Sequence, residues 1–219
     1  WAQKGNLGWS YNDVLPYFKS MENKIGSGDD GYHGKNGEQL ITDLSWRDPL
    51  CDAFIQGAID YGIPLNKDYN GRSQEGVSYV QRTTNGKFRR SSSRSFLNPI
   101  KKRKNLKIIT NAHVKKIIIK NKKAEGVEYF IGKQNQSIKK IFSRKEIILS
   151  AGVINSPQIL QLSGIGPADI LKENNINVVH ELDGVGKNLR DHYNIRLIGK
   201  VKNIKTINEK SRGFPLIKE

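Results

Sequence analysis

Gly26-Ser27-Gly28-Asp29-Asp30-Gly31 has the Gly-x-Gly-x-x-Gly spacing with which a loop can set a pyrophosphate on a helix N-terminus. That chemistry needs a buried strand before the loop and a helix after it. Glu22-Asn23-Lys24-Ile25 precedes it and Tyr32-His33-Gly34-Lys35-Asn36-Gly37 follows, so neither flank fits. Asp29 and Asp30 would also repel a phosphate. We read the segment as a Gly-rich surface loop. The four histidines, His33, His113, His180 and His192, include no pair at metal-ligand spacing, and no metal site is expected. Cys51 is the single cysteine, which excludes a Cys-based zinc cluster and an intramolecular disulfide. Ser163-Gly164 is half of a nucleophile elbow without the required Gly-x-Ser-x-Gly, so a hydrolase triad is not supported. Asp191-His192 is an acid–His neighbour pair following the Gly184-Val185-Gly186 turn.

The most informative local pattern is a strand, a turn and a helix over residues 146–162. The unbroken Ile147-Ile148-Leu149 predicts a strand at Glu146–Ser150, buried on both faces. It runs into Ala151-Gly152, and Asn155-Ser156-Pro157 is a helix-start pattern. In open α/β sheets, ligands sit outside the carboxyl ends of strands at such points. Small residues there let a backbone approach a ligand, and they equally let a strand and a helix pack tightly. The local pattern leaves both readings open.

Other elements must position these residues. Ser10 with Asp13 makes a capping box, and Tyr11, Val14, Leu15, Phe18 and Met21 recur at helical spacing, interrupted by Pro16. Residues 23–48 read as loop. Asp48-Pro49 opens a second helix that Gly62 and Pro64 close. Ser92–Leu97 reads as a short helix ended by Asn98-Pro99. Leu106–Thr110, Val114–Lys120, Gly126–Ile131 and Ile138–Phe142 are apolar runs separated by turns, including Asn121–Lys123 and Gln134–Gln136. They predict an antiparallel meander near 106–142. A short helix to Asn174 and a strand at Asn177–Glu181 follow.

The 219 residues carry 37 Lys+Arg against 21 Asp+Glu, a formal charge of +16. The length suits one large or two modest domains, and no apolar run approaches the roughly 18 residues of a membrane span. The charge raises the question of nucleic acid. Lys101-Lys102-Arg103-Lys104 and Arg89, Arg90, Arg94 are the candidates. No nucleic-acid-binding signature accompanies them, and the Lys residues interleave with Ile and Asn as on the solvent face of strands and turns. We expect no nucleic-acid partner. Trp1 stands first and Met21 is the only methionine, so we read the chain as an internal excerpt of a longer protein.

Leu149-Ser150-Ala151-Gly152-Val153-Ile154-Asn155-Ser156-Pro157-Gln158-Ile159-Leu160-Gln161-Leu162-Ser163-Gly164-Ile165-Gly166-Pro167 resembles the second signature of the glucose–methanol–choline (GMC) flavin oxidoreductases. Val153 stands where a smaller residue is more usual. Gly184-Val185-Gly186-Lys187-Asn188-Leu189-Arg190-Asp191-His192 resembles a downstream segment of that family. Gly8-Trp9-Ser10-Tyr11, Asp13-Val14-Leu15-Pro16-Tyr17-Phe18, Asp68-Tyr69-Asn70-Gly71, Gln74-Glu75-Gly76 and Ala112-His113-Val114 match in the family's order.

The resemblance implies FAD as cofactor and alcohol oxidation as reaction, with a small-molecule alcohol as substrate and an unknown electron acceptor. The flavin carries the redox chemistry while the protein positions and excludes water. It implies an α/β fold with α+β character: part of an FAD-binding Rossmann-like domain with an antiparallel meander, interleaved with part of a substrate-binding domain. Residues 1–80 would be mainly substrate-domain and loop elements. Residues 81–195 would belong mainly to the FAD domain, and 196–219 would begin the next substrate-domain segment. By the same resemblance Val114 would contact the adenine through its backbone, and Ser150, Ala151 and Gly152 would pass close to the cofactor. Asn188, Asp191 and His192 would either touch the flavin or hold a loop near it. The family's catalytic His and its N-terminal pyrophosphate fingerprint match nothing in this chain, so no catalytic residue is assigned. The chain alone is expected to be inactive and to bind FAD weakly or not at all. The expected location is cytoplasmic or peripheral to a membrane. The alternative is a non-catalytic basic module for nucleic acid or another polyanion, or a degenerate, inactive family member.

Overall fold

The computed structural model describes residues 1–28, 31–86, 88–132 and 137–211. Asp29 and Asp30, the Gln134–Gln136 turn and the end of the 196–219 segment from residue 212 lie outside the described residues. The chain divides into two compact units, one of residues 1–107 with 200–219 and one of residues 108–199.

In the first unit α1 spans Tyr11–Met21, and its capping box forms as the sequence predicts. The Ser10 amide donates to the Asp13 carboxylate at 2.9 Å, and the Asp13 amide donates to the Ser10 hydroxyl at 3.4 Å. The two groups satisfy each other's orphan donors at the helix start. Pro16 stays inside the helix. The chain then departs from the expected loop over 23–48. Glu22–Ile25 (β1) and Gln39–Thr42 (β2) pair in parallel, Glu22 opposite Gln39 and Ile25 opposite Thr42. Neither strand is long or alternating enough to announce itself. What makes them strands is the return of residues 31–38, with Gly34 and Gly37 set against Lys19 and Met21 at the end of α1. Lys24 N–H donates to the Gly34 carbonyl at 2.8 Å and Gly37 N–H to the Glu22 carbonyl at 2.9 Å. Gly34 is required there, because a Cβ would run into the backbone carbonyl of Lys19. The buried Lys24 ammonium reaches Asp43 Oδ1 at 2.8 Å, and the Ser27 N–H donates to the same carboxylate at 2.7 Å.

Pro49–Asp60 (α2) begins as the sequence predicts. Asp48, 1 % exposed, caps it by accepting from Leu50 N–H at 3.0 Å, with Pro at the first helical position. Lys210 Nζ holds the other Asp48 oxygen at 3.0 Å and, with the cap bonds, keeps this carboxyl below the usual carboxylate range. Thr84–Asn85 (β3) and Phe88–Arg89 (β4) form a small antiparallel pair. Ser93–Leu97 is helical but wound as a π turn, with Asn98 N–H donating to the Ser93 carbonyl at 2.8 Å.

The second unit is built on the meander. Ala112–Lys120 (β5), Lys123–Ile131 (β6) and Lys139–Phe142 (β7) are antiparallel in the order β5-β6-β7. Asn121 and Lys122 both take positive φ, 51° and 61°, the two-residue hairpin turn whose twist suits the flanking strands. Leu106–Thr110, expected as a strand, has no strand pairing. Gly152–Leu162 (α3) follows, then Ile165–Gly166 (β8), Ala168–Glu173 (α4) and His180–Glu181 (β9), with β8 and β9 parallel. Only the last two residues of the expected Asn177–Glu181 strand are paired. Ile117, Ile159, Leu171 and Val185 are the buried aliphatics of this unit, with Leu171 fully buried. The α/β reading with its antiparallel meander stands. Ile207–Lys210 (α5) closes the described chain and belongs to the first unit.

Candidate functional site

The strand-turn-helix at 146–162 is only partly as expected. Glu146–Ser150 is not a strand among the described residues, and it is not buried: Ile148 is 78 % exposed. A run of apolar β-formers becomes a buried strand only when neighbours flank it on the sheet. Among the described residues this unit holds the β5-β6-β7 meander and the short β8–β9 pair, and neither takes up this segment. The helix also starts earlier than Asn155-Ser156-Pro157. α3 begins at Gly152, and Pro157 lies within it, where its missing N–H removes one helical bond.

Two features of the turn were not legible from spacing. Gly152 holds φ at +88°, a conformation that disfavours any side chain. A Cβ added there would meet nothing within 4 Å, so the space beside this backbone is open. Ala151 N–H donates to the Ser156 hydroxyl at 3.1 Å, which ties the turn back onto the first helical turn. The helix otherwise has no side-chain cap. Ser150 and Gly152, beside this helix start with its partial positive charge, are both exposed. This backbone suits a polar or anionic group at close approach.

Val114 stands near the start of β5 opposite Tyr129, 42 % exposed, next to a register shift that falls between Val114 and Lys116. β5 and α3 are joined at the other end of the helix. Ile117 N–H donates to the Ser163 hydroxyl at 2.8 Å, and that hydroxyl donates to the Ile159 carbonyl at 2.5 Å. Ser163 is therefore occupied structurally. The half-elbow Ser163-Gly164 is a clasp between a helix end and a strand edge, with no free nucleophile. The Ser-Gly spacing could not show this, because the acceptor and donor lie 4 and 46 residues away.

Asn188, Asp191 and His192 lie in the exposed stretch beyond β9, without helix or strand. Asn188 takes φ +57°, and Asp191 accepts from the His192 N–H at 2.8 Å, a local turn. No side-chain hydrogen bond among the described residues joins these three to Ser150–Gly152 or Val114. The structure thus brings together Ser150, Ala151 and Gly152. It sets Val114 on the strand that α3 packs against, and it leaves the 188–192 group by itself. His113 stacks on its cross-strand partner Phe130, ring centroids 5.2 Å apart. The Gly26–Gly31 loop donates its Ser27 N–H to the chain's own Asp43, the opposite of a phosphate cradle.

A family model described as GMC oxidoreductase matches residues 1–194. The chain is 42 % identical over 195 residues to an oxygen-dependent choline dehydrogenase of Brucella anthropi, covering 89 % of this chain and 35 % of that protein. It is 41 % identical over 198 residues to an alcohol dehydrogenase (acceptor) of Pseudomonas putida, covering 90 % and 36 %. Among solved structures, an FAD-dependent oxidoreductase from Chaetomium thermophilum superposes with a TM-score of 0.82 at 31 % identity, over 87 % of this chain and 35 % of that one. The chain spans about a third of the length of the relatives it matches.

Proposed function

The chain belongs to the GMC oxidoreductase family, and from that premise we propose that it serves in a flavin-dependent enzyme that oxidises the CH–OH group of an alcohol, with FAD as cofactor. The observation that carries this reading is the family match over residues 1–194. The open, positive-φ turn at Gly152 supports it, because a bulky planar cofactor needs such an approach.

In this reading Ser150, Ala151 and Gly152 run along the cofactor. The exposed N–H groups at the start of α3 offer hydrogen bonds and a favourable dipole. Ser156 is a positioning residue: by accepting the Ala151 N–H it fixes the turn in which Gly152 keeps its Cβ side open. Val114 offers backbone groups to an adenine edge. The Ser163 clasp sets α3 against β5 and so fixes the frame between these two contributions. Asn188, Asp191 and His192 form a second, weaker set that holds a loop near the flavin or touches it. Bound FAD supplies the acceptor for the hydride leaving the alcohol carbon. The chain's own residues hold and orient, and none of them is assigned the hydroxyl proton. Residues 1–80 serve mainly the substrate domain, 81–195 mainly the cofactor domain, and 196–219 begin a further substrate segment. The location we propose is cytoplasmic or peripheral to a membrane. No helix among the described residues is long and apolar enough to cross a membrane.

The test is expression of the full-length protein, followed by its visible spectrum and by anaerobic mixing with choline and with a panel of aliphatic and aryl alcohols. A bound-flavin spectrum that bleaches with one of them supports the reading. A protein without flavin that is retained on DNA in a salt-dependent way would overturn it in favour of the basic-module alternative.

A further inference from the structure

His33 has no part in the flavin reading. It is 6 % exposed, in the connection from β1 to β2. Its ring stands between two carboxylates. Nδ1 lies 3.1 and 3.0 Å from the two oxygens of Glu22 at the start of β1. Nε2 lies 3.0 Å from both oxygens of Asp68 in the Asp68–Gly71 turn. A neutral imidazole has one N–H, and its other nitrogen carries a lone pair. With an ionised carboxylate on each side, the neutral ring would aim that lone pair at an anion at hydrogen-bond distance. The imidazolium gives a donor to each side, and charge-assisted bonds of this kind are the strong ones. With both nitrogens engaged, the ring is not poised to bind a metal, and no cluster among the described residues has that geometry.

We propose that His33 is an imidazolium at neutral pH and acts as a proton-held latch, joining β1, the Gly31–Gly34 loop and the Asp68–Gly71 turn and releasing the loop when the ring loses its proton. The surroundings are built for this. Glu22 Oε2 also accepts the Gly34 N–H at 3.0 Å, so the carboxylate holds both the ring and the backbone of the next residue. The loop's other arm lies on the ring: a Cβ on Gly28 would sit 3.0 Å from His33 Cδ2. Lys19 from α1 donates to the Gly31 carbonyl at 3.1 Å. Among the described residues, the charged and titratable groups that face or adjoin the ring are Glu22 from β1, Asp68 from its turn and Lys19 from α1. Tyr32 and Lys35 adjoin it within the loop. The latch forms one wall of a cavity of about 460 Å³ lined also by Tyr11, Leu15, Phe18, Met21 and Ile41.

Burial works against the charged ring, but the bonds and charges of Glu22 and Asp68 outweigh it and raise its pKa above the ordinary value of 6.5. A group raised on folding stabilises in full below its unfolded value. That stabilisation is lost as pH rises through the folded value, so the latch loosens on the alkaline side.

The test uses the full chain carrying ¹⁵N-labelled histidine. His33 is assigned by its disappearance in His33→Gln, and two-bond ¹H–¹⁵N spectra are followed across pH. We expect both ring nitrogens to be protonated at neutral pH, with a midpoint above 6.5 that falls in Asp68→Asn. Limited proteolysis of the 26–35 loop should rise several-fold as pH crosses that midpoint. A singly protonated ring at neutral pH overturns the proposal, and so does proteolysis that ignores the midpoint. Should Asp68→Asn not fold, the wild-type spectrum and its proteolysis profile decide alone.

Discussion

Replacing Ser163 by Ala removes one hydroxyl and changes side-chain volume little, so the cost is polar. Ser163 is 7 % exposed. Its hydroxyl donates to the Ile159 carbonyl and accepts from Ile117 N–H. The carbonyl keeps a partner without it, because Ser163 N–H also donates to Ile159 O at 3.1 Å. The Ile117 N–H has no such substitute. It points off the outer edge of β5, which among the described residues pairs with β6 alone. The loss is therefore one buried, unsatisfied backbone donor, about 1–3 kcal/mol. Taking about 2 kcal/mol, opening of this edge becomes about thirtyfold more frequent, at a factor of ten per 1.4 kcal/mol. Native-state hydrogen exchange of the β5 amides reads it directly, with Ile117 and its neighbours exchanging about thirtyfold faster in Ser163→Ala. Ser137→Ala, at an exposed position, is the control and should change nothing. Exchange at Ile117 altered by less than about threefold, in a variant that otherwise keeps its fold, would refute the clasp.

Three further outcomes follow from the same geometry. Gly34→Ala places a Cβ against the Lys19 carbonyl and should cost about 2 kcal/mol or more, read as a lower urea midpoint; an unchanged midpoint would show that the loop can give way. Asp43 is opposed by burial, yet the Lys24 ammonium and the Ser27 N–H hold its carboxyl below the ordinary 3.8. Its stabilisation is thus present above that value and is lost as pH falls through the folded value, so Asp43→Asn should flatten the acid limb of stability against pH, and identical limbs would count against the ion pair. Gly152→Ala meets no neighbour within 4 Å and should cost only about 1–2 kcal/mol of backbone strain, whereas Gly152→Val should also lower flavin retention by the full-length protein at least tenfold; equal retention would remove Gly152 from the cofactor contact.

The sequence by itself determined the elements whose signals are local. The Ser10–Asp13 box and the Asp48-Pro49 start each satisfy or orient backbone within a few residues and form as read, and the turn expected at Asn121–Lys123 forms at Asn121-Lys122, with Lys123 opening β6. The ordered motifs determined the family for the same reason: they are runs of contiguous residues, legible without a fold. Only the tertiary structure decided matters that depend on distant partners. Glu146–Ser150 reads as a buried strand by composition, yet burial is a property of flanking strands, and the described sheet places none beside it. The β1–β2 pair hid in a Gly-rich stretch because each strand finds its partner only across the intervening loop. Ser163 looked like half of a catalytic motif until Ile117 arrived from 46 residues away to occupy it. His33 looked like an isolated histidine until two carboxylates, 11 and 35 residues distant, closed on its ring. Hydrogen bonding acts over about 3 Å in space and charge a little further, whatever the separation along the chain. A residue's type is therefore readable from sequence, while its protonation and its role are set by the groups that the fold brings beside it.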